Sequence, residues 1–381
     1  MQRKTIVLVC MVDSIHVARW IAQFEPTEVR FILFPSGPNR RVHPKILEMI
    51  ESGKSFDNQI TIVPFGGKLS LPLWALDRFF GDRIRGLLLR RILKETPPDF
   101  VHALEFQHAG YVTMRALADK SITTPFIATN YGSDIYWFQK FPKHKVKIQR
   151  ILARADRYSA ECERDVRLAK EFGFGGVVLP VIPNSGGIDF LSLPEPAPFE
   201  SRKLIAIKGY DGWVGRARWT LLALEKLEQK LEGFDLAIFS ANRSVIKLAH
   251  KIEKRSNFTF TTHKKGSLSH EQVQELFASA SMYVGVSLSD GLSTSMLEAL
   301  ANKCFAVQSA TACTDGLITE GVNGLVITDI SPDGVFSALS RAIKILRSRD
   351  SEKESSWDME EFRSKYSRDR ITRIARDYFY V

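Results

Sequence analysis

The 381-residue chain has no apolar run near the ~20 residues of a membrane-spanning helix, which excludes a helical span. It is poor in cysteine. Cys10, Cys162, Cys304 and Cys313 have no close spacing, which argues against a disulfide framework or a zinc site and predicts core thiols. Its first apolar run leads into Met11-Val12-Asp13-Ser14-Ile15-His16 rather than G-x-G-x-x-G, so no dinucleotide cofactor is expected. There is no G-x-x-x-x-G-K-[ST] loop, which removes P-loop phosphoryl transfer. No H-E-x-x-H or Cys–His constellation offers a metal or thiol mechanism, and no aspartate pair has D-x-D spacing. Neither a cofactor nor a metal is therefore expected. Internal repeats and low-complexity tracts are missing too.

Anionic partners are suggested by the excess of basic residues, a formal net charge of +10. Cations gather at Arg78, Arg83, Arg85, Arg90, Arg91 and Lys94, and again at Lys140, Lys143, Lys145 and Lys147. No zinc-finger spacing or aromatic–glycine RNA signature accompanies them, so nucleic acid is not expected. A solvated surface or contact with an anionic membrane face remains. Met1-Gln2-Arg3-Lys4 and the short apolar run after it resemble a signal peptide only faintly. Asp13 interrupts the pattern, no small-residue cleavage site follows, and a first β-strand in a cytoplasmic protein is the expectation.

Short β-branched or aromatic runs alternate with longer helical patterns, the signature of α/β units around parallel sheets. Strands are predicted over Thr5–Cys10, Val29–Phe34, Ile60–Val63, Phe100–Leu104, Phe126–Thr129, Tyr158–Ala160 and Val177–Ile182. A second set covers Leu204–Lys208, Leu236–Ser240, Phe258–Thr262, Met282–Val286, Phe305–Gln308 and Leu325–Thr328. Between the sets lie Pro183, Gly186, Gly187, Pro194, Pro196 and Pro198, which interrupt helix and strand alike and mark a linker. Two doubly wound domains follow, over 1–185 and 186–358, with ligands expected at the C-terminal ends of the strands and across a cleft between the sheets. Residues 348–357 form a polar connector, and a last helix over 359–381 is expected to complete the first domain.

The chemistry is concentrated in Ser289-Asp290-Gly291-Leu292-Ser293-Thr294-Ser295-Met296-Leu297-Glu298-Ala299-Leu300. An apolar strand leads into this segment, and a small-residue turn opens a helix near Thr294. A helix start offers unpaired N–H groups and a positive dipole end to an anion, while Gly291 lets the backbone approach closely. Asp290 and Glu298 suit a ligand rich in hydroxyls. Alternatively, Asp290 caps the helix and Glu298 is solvated. A second cationic element, Lys208-Gly209-Tyr210-Asp211-Gly212-Trp213-Val214-Gly215-Arg216, follows another strand, and its two cations are placed to neutralise a diphosphate.

These motifs, in this order, resemble the GT-B glycosyltransferases of family 4, which are retaining and use nucleotide sugars. The paired acidic motif is matched by Asp290-x7-Glu298, with Asp in place of the usual first Glu, and a Gly-x-Asn-Gly turn by Gly321-Val322-Asn323-Gly324. In the first domain the resemblance is to a bacterial branch. It is carried by Ser14-Ile15-His16 with Arg19-Trp20, by Pro98-Asp99-Phe100-Val101-His102, by Gly132-Ser133-Asp134, and by Pro183-Asn184-Ser185-Gly186-Gly187-Ile188-Asp189. Tyr131 stands where many members have histidine, and the usual G-R-x(4–5)-K-G arrangement is altered, with Lys208 early and Arg216 late.

The resemblance implies a fold of two Rossmann-like domains and a metal-independent transfer with retention from a nucleotide-diphosphate sugar. Glu298 would accept from the ribose and Asp290 from the transferred sugar. Lys208, Arg216 and the amides after Gly291 would stabilise the leaving diphosphate, with Leu292, Ser293, Thr294 and Ser240 lining the donor pocket. His102, at a strand end, joins the catalytic candidates; a packed histidine is the competing reading. His16, Arg19, Tyr131 and Asp134 are expected on the acceptor side, although Asp134 would serve equally as a cap. The implied acceptor is a saccharide or lipid-linked saccharide of a cell envelope, handled in the cytoplasm or at the inner membrane face. A sugar-nucleotide epimerase, or a non-catalytic glycan- or membrane-binding protein on the same scaffold, are the alternatives.

Overall fold

The computed structural model describes residues 2–37, 41–52, 59–65, 67–348 and 357–381. The chain divides into two compact units, Met1–Gly187 with Asp369–Val381, and Ile188–Arg368. Most of the polar connector expected over 348–357 lies outside the described residues.

In the first unit the strands are β1 (Lys4–Cys10), β2 (Val29–Pro35), β3 (Ile60–Ile62), β4 (Phe100–Leu104), β5 (Phe126–Thr129), β6 (Arg157–Ser159) and β7 (Val177–Val178). They form one parallel sheet in the order β3-β2-β1-β4-β5-β6-β7. The second unit contains β8 (Leu204–Lys208), β9 (Asp235–Ala241), β10 (Phe260–Lys264), β11 (Ala280–Gly285), β12 (Phe305–Ser309) and β13 (Gly324–Ile327). Its parallel order is β10-β9-β8-β11-β12-β13. Each sheet reverses its winding next to its first strand, between β1 and β4 and between β8 and β11. Those reversals open the crevices in which doubly wound folds bind ligands.

Helices cover both faces of each sheet, so the strands are buried on both sides and their sequences are nearly continuous apolar runs. Val7 and Val9 of β1 enter one core, with Leu89, Leu93, Phe106 and Ile151. Ile6, Leu8 and Cys10 of the same strand enter the other, with Trp20, Phe31 and Phe379. β8 divides likewise, Ile205 and Ile207 packing with Leu221, Leu339 and Ile343 on one face, and Ala206 with Phe277, Met296 and Leu300 on the other. The alternation is the period-2 pleat expressed as two cores.

Two local expectations are corrected. β7 stops after two residues because Pro180 and Pro183 have no N–H to give a ladder. The single C-terminal helix is two, Met359–Tyr366 and Arg368–Tyr378, broken at Ser367, which is extended at φ −62°, ψ 142°. The break is held by backbone pairing, Ile188 N donating to Tyr366 O (2.8 Å) and Arg368 N to Ile188 O (2.8 Å). The first of these helices packs Phe362 into the second unit, whereas Ile371, Ala375, Phe379 and Tyr380 close the first. The expectation of core thiols holds for Cys10 and Cys304, both free and buried. Among the described residues no helix is long and apolar enough to cross a membrane.

Candidate active site

In the second unit several of the candidate side chains meet at the β8/β11 reversal. β8 ends in Lys208, and the chain turns at once through Gly209. A Cβ there would lie 2.6 Å from Ala241 Cα and 2.7 Å from Ile238 Cγ2, so only glycine lets this loop lie against the end of β9. The turn is fixed by Gly209 N donating to Phe239 O (2.8 Å) and Asn242 N to Gly209 O (3.1 Å). Gly215 is needed for a similar reason, since a Cβ would strike the Tyr210 carbonyl. Arg216 N then donates to Val286 O (2.9 Å), which ties the glycine loop to the end of β11.

Lys208 Nζ lies 3.6 Å from Asp290 Oδ2 and donates to Ser293 Oγ at 3.3 Å. Burial alone would lower the lysine pKa. Tyr283, Asp290 and Glu298 outweigh it, and the net shift is upward, so the ammonium stays charged. The Tyr283 hydroxyl is pushed up by burial despite that cation. Ser293 begins the helix Thr294–Ala301 without capping it by its side chain, so the positive end of the helix stands beside Lys208 and Asp290. Gly291 N donates to its neighbour's Asp290 Oδ1 (3.0 Å), so this amide is engaged within the turn. Leu292 is buried against Phe239 and Met296, a packing residue, while Thr294 is partly exposed at the helix start.

One helical turn on, Glu298 is almost buried and its Oε1 is 2.9 Å from His270 Nε2. The solvated alternative for Glu298 is thereby excluded. Arg216 is part of the same loop, but its Nη1 donates to the carbonyls of Gly212 and Gly215, each at 2.7 Å. Its Nε and Nη2 hydrogens are the ones left for an anion. Ser240, at the end of β9, is exposed and adopts φ +51°, a conformation uncommon outside glycine.

The first unit has its own cluster at the β1/β4 reversal. His16 lies in the first turn of the helix Ile15–Ile21, with its ring edge-on to Tyr131 at 6.2 Å, and Arg19 follows on the same helix. Asp134 is buried, and its Oδ2 accepts from Tyr131 N (2.8 Å) and Phe106 N (2.9 Å). It therefore acts as the cap of two loops. Glu105, directly after β4, adopts φ +88°, and its buried carboxylate accepts from His108 N (2.9 Å) and Ala109 N (2.5 Å). Burial pushes Glu105 up to about 7, and burial with the Glu105 charge pushes Asp134 well above the usual carboxylate range. Nothing in the residues around Glu105 announces its backbone geometry, which only the fold imposes.

His102 does not belong with the catalytic candidates. It is fully buried, with Nδ1 2.8 Å from the Tyr380 hydroxyl and Nε2 2.7 Å from Thr129 Oγ1. Burial lowers its pKa to about 3. A neutral imidazole with both nitrogens engaged inside the core has no free edge for substrate.

Residues 202–344 match the family model described as glycosyl transferases group 1, and residues 5–160 match glycosyl transferase 4-like. The chain is a group 1, family 4-like glycosyltransferase. Solved structures agree on the fold. The HepE protein of Anabaena, solved with UDP and glucose, superposes with a TM-score of 0.66 at 12% identity, covering 97% of this chain and 98% of that one. Sucrose-phosphate synthase of Thermosynechococcus elongatus gives 0.67 at 12%, covering 97% and 96%. Trehalose 6-phosphate synthase of Burkholderia multivorans gives 0.63 at 14%, covering 99% and 97%. No curated protein matches by sequence.

The glycosyltransferase fold thus places Lys208, Asp290, Ser293 and Glu298 around one strand reversal. Two partners escaped the sequence. His270 reaches Glu298 from the helix His270–Ala278, whose capping box, Ser269 with Gln272, is legible in the sequence although the contact is not. Tyr283 comes from inside β11, where an aromatic residue signals core.

Proposed function

We propose that this glycosyltransferase takes its sugar from a nucleoside-diphosphate sugar and transfers it with retention and without a metal ion. The observation carrying the proposal is the meeting of Lys208, Ser293 and Asp290 at the β8/β11 reversal, beside a helix start. A cation and a positive dipole end converge there, the requirement of a diphosphate. Carboxylates adjoin them to accept from hydroxyls. That the HepE protein was solved with UDP-glucose fits this reading.

In this scheme Glu298, oriented by His270, accepts from the ribose hydroxyls, and Asp290 accepts from the sugar. The bond between the anomeric carbon and the phosphate oxygen breaks while the acceptor oxygen bonds to that carbon on the same face. The acceptor proton passes to the departing phosphate. Lys208, Arg216 and the amides at the start of the helix stabilise the charge that develops on the diphosphate, and such preorganised stabilisation usually supplies most of the rate enhancement. His16, Arg19 and Tyr131 belong to the acceptor side, with a saccharide or lipid-linked saccharide of a cell envelope as acceptor. The reaction takes place in the cytoplasm.

Thermal-shift screening against UDP, GDP, ADP and their sugars tests the donor site. A ligand at 100 times its Kd stabilises by about 2.7 kcal/mol. Glu298→Gln and Lys208→Ala should abolish the shift and the release of nucleoside diphosphate, and EDTA should leave both unchanged in the wild type. Retention of binding and turnover by both variants would overturn the assignment.

A further inference from the structure

The helix pair Ser70–Phe79 and Arg83–Glu95 turns through Phe80, Gly81 and Asp82. Gly81 and Asp82 both adopt left-handed backbone, φ +69° and +63°, which makes the turn abrupt. The acids of the turn are consumed internally. Asp77 and Asp82 are buried and each lies 2.6 Å from the buried Arg85 guanidinium, and Asp82 also pairs with Arg78 at 3.2 Å. Arg85, expected on the surface, is therefore the core of an ion network that fixes the turn.

What the fixed turn presents outward is apolar. Phe79 is 84% exposed and Phe80 51%, their rings stacked edge to face at 5.3 Å, and Leu76, Ile84 and Leu87 are exposed beside them. Immediately behind the turn lies a cavity of about 220 Å³, lined by Gly81, Asp82, Tyr111, Arg115, Lys147 and Arg150 among others. Asp82 is already paired, and no other acid among the described residues lines the cavity beside Arg115, Lys147 and Arg150. Burial lowers the Lys147 pKa, and Arg78 and Arg115 add to that effect against the opposing pull of Asp82, so the cavity is short of negative charge. The basic helix Pro142–Arg154 supplies Lys143 and Lys145 on the same element as Lys147 and Arg150.

We propose that this turn and cavity form a docking site for an anionic phospholipid bilayer, with Phe79 and Phe80 entering the acyl boundary and a lipid phosphate held by Lys147, Arg115 and Arg150. Exposed aromatic and aliphatic side chains beside a cationic pocket match an interface that is apolar below and anionic at its surface. A second copy of the chain is disfavoured because two such cationic faces repel. Nucleic acid is disfavoured because Leu76, Ile84 and Leu87 offer it neither stacking nor hydrogen bonds. Bilayer docking is separate from sugar transfer and is measured with no donor present, so failure of either reading leaves the other measurable.

Co-sedimentation of the full chain with vesicles decides it. Binding to equal mixtures of phosphatidylglycerol and phosphatidylcholine should exceed binding to pure phosphatidylcholine at least tenfold and weaken with salt. Phe79→Asp with Phe80→Asp should weaken binding to the mixed vesicles at least tenfold, with the thermal melting profile unchanged. Lys147→Glu with Arg150→Glu should remove the preference for the anionic lipid. The proposal is overturned by equal binding to both vesicles, by unchanged binding in the aromatic variant, or by a thermal shift with inorganic phosphate in a protein that ignores vesicles. Sedimentation velocity showing a dimer that the aromatic variant abolishes, with no vesicle binding, would overturn it in favour of self-association.

Discussion

Replacing His102 with Phe separates a structural histidine from a catalytic one. The substitution keeps a planar ring in the core but removes the contacts to Tyr380 and Thr129. Tyr380 keeps its bond from Trp20 Nε1 (3.0 Å), whereas Thr129 Oγ1 loses its ring partner. With one buried group stranded and one weakened, the cost is about 3 kcal/mol at pH 7.5. That cost must shrink on acidification. Above the ordinary histidine pKa of 6.5 both folded and unfolded wild-type chains carry a neutral His102. Below it the unfolded chain takes up a proton that the folded chain refuses until about pH 3, so the wild type loses stability as pH falls. The loss is about 1.4 kcal/mol per pH unit, and the His102→Phe variant has none of it. At pH 5 the gap between the two proteins should have closed by about 2 kcal/mol. Glu105 works in the opposite sense in both proteins. Raised to about 7, it binds a proton on folding between pH 4.5 and 7, so its contribution falls as pH rises, and it cancels in the difference. Urea unfolding of both proteins at several pH values, together with turnover per folded molecule, supplies the comparison. A stability gap that does not change with pH, or a loss of turnover with full stability, would refute the buried neutral histidine.

His270→Ala removes one hydrogen bond that orients the Glu298 carboxylate, and a net hydrogen bond of about 1 kcal/mol predicts roughly a fivefold loss of nucleotide affinity by calorimetry, with partial rescue by His270→Gln. Gly209→Ala drives a methyl into Ala241 and Ile238, and should cost about 1–3 kcal/mol in chemical unfolding while displacing Lys208 enough to weaken donor binding.

Local chemistry made much of this molecule legible before its structure. Strands appear where β-branched runs stand between turn residues, because both signals act over a few neighbours. The segment Asp290–Glu298 was legible for the same reason: strand, turn and helix start are consecutive, so the positions of Asp290, Ser293 and Glu298 follow from one short stretch of backbone. The opposition of Lys208 to that stretch depends on β8 and β11 being neighbours, which a doubly wound order supplies.

The partners were not legible. Tyr380 reaches His102 across 278 positions, so the sequence left a strand-end histidine open between chemistry and packing, and only the closing C-terminal segment settled it. The sequence places Arg216 beside a diphosphate but does not show the Gly212 and Gly215 carbonyls that its folded loop brings to Nη1. Arg85 looked like surface charge until Asp77 and Asp82 enclosed it. Sequence by itself determined the elements, their alternation and the acidic segment after β11, because periodicity and turn chemistry are short-range. Tertiary structure decided which charges are buried, paired or presented, because desolvation and pairing depend on what distant segments bring to the same few ångströms.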